Sequence, residues 1–264
     1  MKFLDVHAHL DDKRIMGNID EVASICLKKE VFVISSGVNP KTNRIVLDLS
    51  KKYKNFFASA GFYPFDSIAE KIKNKIDFDL REIEPFSLEE EMEFVKKNKD
   101  YFIAIGEIGM DFSDFTEYKK EQEKVFESLI LLAKNLDKPV IIHSRKAEEE
   151  CIEILEKFNM KKVIMHCFNG KKSLIKRCIQ NKWFLTVPPV LLRLEHFKML
   201  AEIVPLDNLL TETDSPYLAP NKGEINYPWN VEISVKEISK IKKISEENVQ
   251  SKIIENAKKL FNFN

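Results

Sequence analysis

The chain has 264 residues, with 42 Lys plus Arg against 42 Asp plus Glu and a formal net charge of zero. That balance excludes a strongly basic protein that coats nucleic acid, although it allows a local basic groove. Hydrophobic residues make up 44%, ample for a core, and the length is close to the about 250 residues that an α/β barrel uses as one domain.

Residues 3–7 (FLDVH) read as the first strand, and Asn18 or Asp20 starts a helix whose face carries Ile19, Val22, Ala23, Ile25 and Cys26. Residues 31–35 form strand two, Pro40 opens a helix through Tyr53, and residues 56–60 form strand three. Residues 65–85 are the least regular part and read as a helix with a long loop. Residues 87–98 form a helix, with Ser87 and Glu90 as a capping box. Strand four covers 102–105 and leads to Glu107, and a long amphipathic helix covers 116–136 with Thr116 as its cap. Strands five (139–142), six (163–166), seven (183–187) and eight (208–212) alternate with helices at 146–157, at 171–181 and, after Pro188 and Pro189, up to about 203. Two helices close the chain at about 231–241 and 246–261, the second started by Ser245 with Asn248. Eight strands alternating with helices predict a parallel sheet with right-handed crossovers. At this length the expected fold is a single (β/α)₈ TIM barrel over residues 1–264, with no repeat, linker or low-complexity segment.

Five of the strand-type runs end in a metal-type ligand. These are His7 and His9 in FLDVHAHLD, Glu107 in FIAIGEIGMDF, His143 in PVIIHSR, His166 in VIMHCF and Asp214 in NLLTETDSP. Four of the five histidines fall at these positions, leaving only His196. A His-x-His pair on a strand puts both rings on one face. Four imidazoles and two carboxylates exceed the needs of one tetrahedral ion and suit a pair about 3.5–4 Å apart. Ligands at the ends of strands one, four, five, six and eight lie on the face where barrel active sites sit. Structural zinc sites are closed and rich in Cys, so an open catalytic site is the better reading. Two ions sharing a water ionise it near neutral pH for attack on a phosphorus or carbonyl centre.

Cys26, Cys151, Cys167 and Cys178 form no C-x-x-C and are too few for a disulfide scaffold. A reduced, cytoplasmic setting is expected, with Cys167 packing rather than ligating. No apolar run approaches about 18 residues and no basic-then-apolar leader opens the chain, so neither a membrane span nor a signal peptide is expected.

The stretches DVHAHL, GEIGMDF, IIHSRKAEEE, MHCFNG and TETDSPYLAP resemble the signature of the TatD family of metal-dependent hydrolases, and the likeness runs from residue 3 nearly to the end. The resemblance implies an amidohydrolase-like barrel with two divalent metal ions (Mg, Mn or Zn). One ion would take His7, His9 and Asp214, the other His143 and His166, with Glu107 bridging. Glu107 and Asp214 would be the catalytic acids, and Asp214 could also take the proton of the attacking water. The implied activity is that of a deoxyribonuclease, an exonuclease on single-stranded DNA ends.

Arg145, two residues after His143, suits a phosphate, or else pairs with Glu148 or Glu149. Asp111 either holds a ligand imidazole or caps. Tyr217 either stacks on a base or sugar or packs in the core. Lys171, Lys172, Lys176 and Arg177 either attract phosphodiester backbone or form a solvated helix face. Two positions depart from the family pattern: Tyr63 in GFYPF, where a histidine is expected, and Ile225 in NKGEINYPWN, where an arginine is expected. A competing reading is therefore hydrolysis of an ester or amide, for example on an aminoacyl-tRNA, at the same metal site. Another is a metal-stabilised, non-enzymatic binding protein.

Overall fold

A computed structural model describes residues 1–72 and 83–261. Eight parallel strands follow one another in sequence order around a barrel: β1 (Phe3–Ala8), β2 (Val31–Ser36), β3 (Phe56–Ala60), β4 (Phe102–Gly109), β5 (Val140–His143), β6 (Val163–Met165), β7 (Phe184–Val187) and β8 (Leu209–Thr211). The strands are near-continuous apolar runs because helices cover them outside while the lumen is packed inside. In β5, Val140, Ile141 and Ile142 are all fully buried. Helices lay one apolar stripe on the sheet. Lys172–Gln180, for example, buries Leu174, Ile175 and Cys178 and leaves its lysines outside.

The seam between β8 and β1 is closed by bonds beyond the regular ladder. The Thr211 hydroxyl donates to Leu4 O at 2.7 Å, and Asp214 N donates to His7 O at 2.9 Å. His9 N donates to Ser215 O at 2.7 Å. Asp5, fully buried, accepts from Thr213 N (2.9 Å) and His7 N (3.2 Å) and hydrogen-bonds the Thr213 hydroxyl. The seam therefore locks the chain around Asp214 to the chain around His7 and His9.

All eight expected strands form, β3 with its expected bounds and the others shifted by one to four residues. The largest shift is β4, which runs on through Glu107 to Gly109 rather than stopping at 105. Gly109 allows this, because its φ is +144° and a Cβ there would stand 1.9 Å from His143 O. Thr116 does not cap the long helix. It opens a 3₁₀ turn (Thr116–Tyr118), and the α-helix starts at Lys119. Ser87 caps its helix by accepting from Glu90 N at 3.2 Å, while the reciprocal capping box is found at Asn39 and Thr42 instead. In the irregular stretch the described part forms two short helices, Pro64–Ser67 and Ala69–Ile72. Residues 73–82 of that expectation lie outside the described residues, as does the last residue span after 261.

Candidate metal centre

The five expected strand ends converge on one cluster at the C-terminal mouth of the barrel. Nε2 of His7 and His9 stand 3.2 Å apart, and Asp214 Oδ1 lies 3.5 Å from the first and 3.4 Å from the second. Donors about 2.0–2.1 Å from a shared tetrahedral ion stand about 3.3 Å from one another, so this triangle has the size of a cation site. Glu107 faces both halves of the cluster. Its Oε1 lies 3.8 Å from His9 Nε2, and its Oε2 lies 3.7 Å from His7 Nε2, 3.5 Å from His143 Nδ1 and 3.7 Å from His166 Nε2. Two overlapping donor sets result, His7–His9–Asp214 and His7–Glu107–His166.

Each imidazole is held from behind through its other nitrogen, which aims the remaining lone pair at the cluster. His9 Nδ1 donates to Ser36 O at 3.2 Å, and His7 Nδ1 pairs with the Ser36 hydroxyl at 3.1 Å. His143 Nε2 donates to Asp111 Oδ2 at 2.9 Å, and His166 Nδ1 donates to Glu212 Oε2 at 2.8 Å. The fit to a cation thus rests on donor spacing and on the backing of all four rings. Backbone geometry adds to it: Asp214 has φ +55° and Cys167 φ +41°, left-handed conformations held by bonds to His7 O and to Thr186 and Glu212.

The electrostatics match. Burial alone would raise Glu107, but its hydrogen bond to His143 and the surrounding imidazoles hold it well below the usual carboxylate range. Asp214 is likewise lowered, against burial, by its bonds to His7 and His9. Burial alone would lower His9 and His143. Bonds to Asp214 for His9, and to Asp111 and Glu107 for His143, push each up to about 9. Without a metal these two rings are therefore protonated at pH 7, whereas a ligand must be neutral. Metal titration at pH 7 should release about two protons and bind more tightly as pH rises through 9. Because both folded values lie above the unfolded 6.5, the stability these rings contribute to the metal-free protein is full below 6.5 and is lost as pH rises through about 9. Calorimetry in two buffers of different ionisation enthalpy reads the protons, and identical heats in both would refute the prediction.

Several open choices from the sequence are resolved. Asp111 backs His143; its other oxygen accepts from Ser113 N at 2.8 Å in a local turn and caps no helix, since Phe115 precedes the 3₁₀ turn at Thr116. Tyr63, in the place of the expected histidine, donates its hydroxyl to the same Asp111 Oδ2 at 3.0 Å. Arg145 is exposed, and no ion pair to Glu148 or Glu149 forms among the described residues. Two of the four residues on the basic helix face are paired, Arg177 with Glu156 and Lys171 with Glu149, while Lys172 and Lys176 are exposed. Cys167 packs against the core and sits in neither donor set.

Glu212 and Ser36 were not singled out in the sequence. Glu212 is a carboxylate at the end of an apolar strand, fully buried, and that position was the available signal. Glu212→Gln, which loosens the backing of His166, should weaken metal binding at the cluster by about 10–100-fold. An unchanged Kd in a metal titration would place Glu212 outside the site.

A (β/α)₈ barrel with histidines and carboxylates converging at its C-terminal mouth is the architecture of a metal-dependent hydrolase. The family model described as TatD related DNase matches residues 4–262. The chain belongs to that family and is a TatD-family metal-dependent hydrolase. It is 34% identical to an uncharacterized metal-dependent hydrolase of Methanocaldococcus jannaschii, over 99% of this chain and 97% of that protein. It is 31% identical to deoxyribonuclease TATDN3 of Homo sapiens, over 98% of this chain and 94% of that one. The crystal structure of YJJV, a TatD homologue from Escherichia coli, matches with a TM-score of 0.85 at 22% identity, covering 100% of this chain and 99% of that chain, which speaks for the fold alone. No helix among the described residues is long and apolar enough to cross a membrane.

Proposed function

We propose that this hydrolase is a deoxyribonuclease that removes nucleotides from single-stranded DNA ends with two divalent cations, of the Mg, Mn or Zn type. The carrying observation is Glu107, whose two oxygens face both halves of one donor cluster. His7, His9 and Asp214 would hold one cation and His143 and His166 the other. Bound there, divalent cations would supply Lewis-acid chemistry, making water acidic near neutral pH and offsetting negative charge on the substrate. Asp214, kept ionised by its two imidazoles, takes the water's proton on Oδ2, since Oδ1 is the oxygen facing His7 and His9. Arg145, exposed and with no ion pair among the described residues, orients the phosphate through its planar fork. The deoxyribonuclease name of the human relative supports DNA as the substrate. We read residues 1–264 as one domain, and the four free thiols support a reducing, cytoplasmic setting.

Digestion of single-stranded DNA labelled at either end, after chelation and addition of each metal, tests this. Shortening that needs metal and vanishes in His143→Ala supports it. Intact DNA with both cations bound would sink it and move the substrate to an ester or amide such as an aminoacyl-tRNA. Ile225, 41% exposed where the family pattern has an arginine, favours looking there next.

A further inference from the structure

The geometry points to a base-stacking platform at the mouth of the site, built by Tyr217 and Arg14, that receives the nucleobase beside the scissile phosphodiester. This rests on the nuclease reading and deepens it. Tyr217 is 47% exposed, an unusual position for a large ring immediately beside a buried polar cluster. The Arg14 guanidinium lies over its ring at 4.5 Å from the centroid, and the ring makes a T-shaped contact with His9, with centroids 6.0 Å apart.

Both layers are tied to the cluster's own backbone. Tyr217 N donates to Asp214 O at 2.8 Å, and Asp12 N donates to His9 O at 3.2 Å. Asp12 in turn grips Arg14 with two bonds, Nε to Oδ1 at 2.9 Å and Nη2 to Oδ2 at 2.8 Å, and its Oδ2 also receives the Tyr217 hydroxyl at 3.4 Å. A pair of planes anchored to His9 and Asp214 cannot drift from the reacting centre.

The chemistry of the ligand follows from what Arg14 still offers. Its charge is cancelled by Asp12 and its fork is occupied, so it is a poor phosphate clamp. What remains is a delocalised plane on an aromatic ring, with the Arg14 side chain 38% exposed. Such a laminate favours planar, polarisable rings, and bases of any identity have such a face. Phosphate recognition falls to Arg145, base recognition to this stack. The expected preference is sequence-tolerant, stronger for purines than for pyrimidines.

The test uses metal-loaded protein and single-stranded oligonucleotides carrying a fluorescent purine analogue at one end or the other. A phosphorothioate linkage behind the analogue blocks cleavage. Quenching on binding is expected at one end, with affinity about 10-fold above that for the same oligonucleotide with an abasic terminus. Tyr217→Ala should erase that difference and the quench, and Tyr217→Phe, which keeps the ring, should restore both. Arg14→Lys keeps the charge but loses the plane and should weaken the quench. If Tyr217→Ala quenches like the wild type, the platform is overturned. If unlabelled DNA is digested but no quench appears, the platform falls while the nuclease reading stands. If DNA is neither bound nor digested, both fall.

Discussion

Glu107→Ala is expected to lower the rate of hydrolysis by roughly a thousand-fold or more, with the barrel still folded. No other side chain in the cluster meets all four imidazoles: Glu107 lies within 3.5–3.8 Å of His7, His9, His143 and His166. Removing it takes the shared acid from between the two donor sets and leaves four cationic or neutral rings facing one another. A loss of that size corresponds to about 4 kcal/mol of transition-state stabilisation. Glu107→Gln should do nearly as much harm, since an amide keeps the volume but not the negative charge that faces the four imidazoles. The measurement pairs turnover with metal content per chain and a far-ultraviolet spectrum. A folded variant that keeps the wild-type metal content and a tenth of the activity would overturn the proposal that Glu107 bridges two cations.

The second large effect is on stability. Asp5→Ala is expected to cost about 3 kcal/mol, read as a fall in Tm of roughly 6–10 °C. Asp5 lies at the seam where β1 meets the exit of β8, with no exposed surface. Its loss strands two backbone N–H groups, those of His7 and Thr213, and takes one partner from the Thr213 hydroxyl, which keeps Ser215. Burial is the main force on its carboxyl and pushes it well above the ordinary value, outweighing the bonds from Thr213 and His7 that pull it down. A group that favours its neutral form can be matched by an amide. Asp5→Asn should therefore recover most of the loss, because its carbonyl accepts the two N–H bonds and its amide donates to the Thr213 hydroxyl. Equal destabilisation by Asn and Ala would show that the site needs the carboxylate itself. Because the seam also joins Asp214 N to His7 O, Asp5→Ala should loosen metal binding as well as the fold.

The barrel, and the strand ends that bring six His, Glu and Asp side chains to one mouth, could be read from the chain because both depend on short-range patterns. Apolar runs of strand length alternate with amphipathic stretches, and the scarce histidines stand where those runs stop. Side-chain alternation along a strand then settles that His7 and His9 share a face, with no knowledge of any partner. The strand-end placement of His143, His166 and Asp214 follows in the same way.

What lay behind those donors could not be read so. Ser36 backs His7 from 29 residues away, and Glu212 backs His166 from 46. A serine or a glutamate at a strand end looks the same locally whether it faces solvent or a buried ring. The expected strand over 102–105 likewise stops short of the observed one, because Gly109 lets the backbone press against His143 O and run through Glu107. The fate of Arg145 and Asp111 was open for the same reason, since each had a local role and a distant one. Local pattern settles which residues lie on which face of which element, because that depends on the period of the backbone. Which of those faces meet, which nitrogen of a ring is held and which charge goes unpaired depend on closing the barrel, which brings residues far apart in the chain within hydrogen-bond distance.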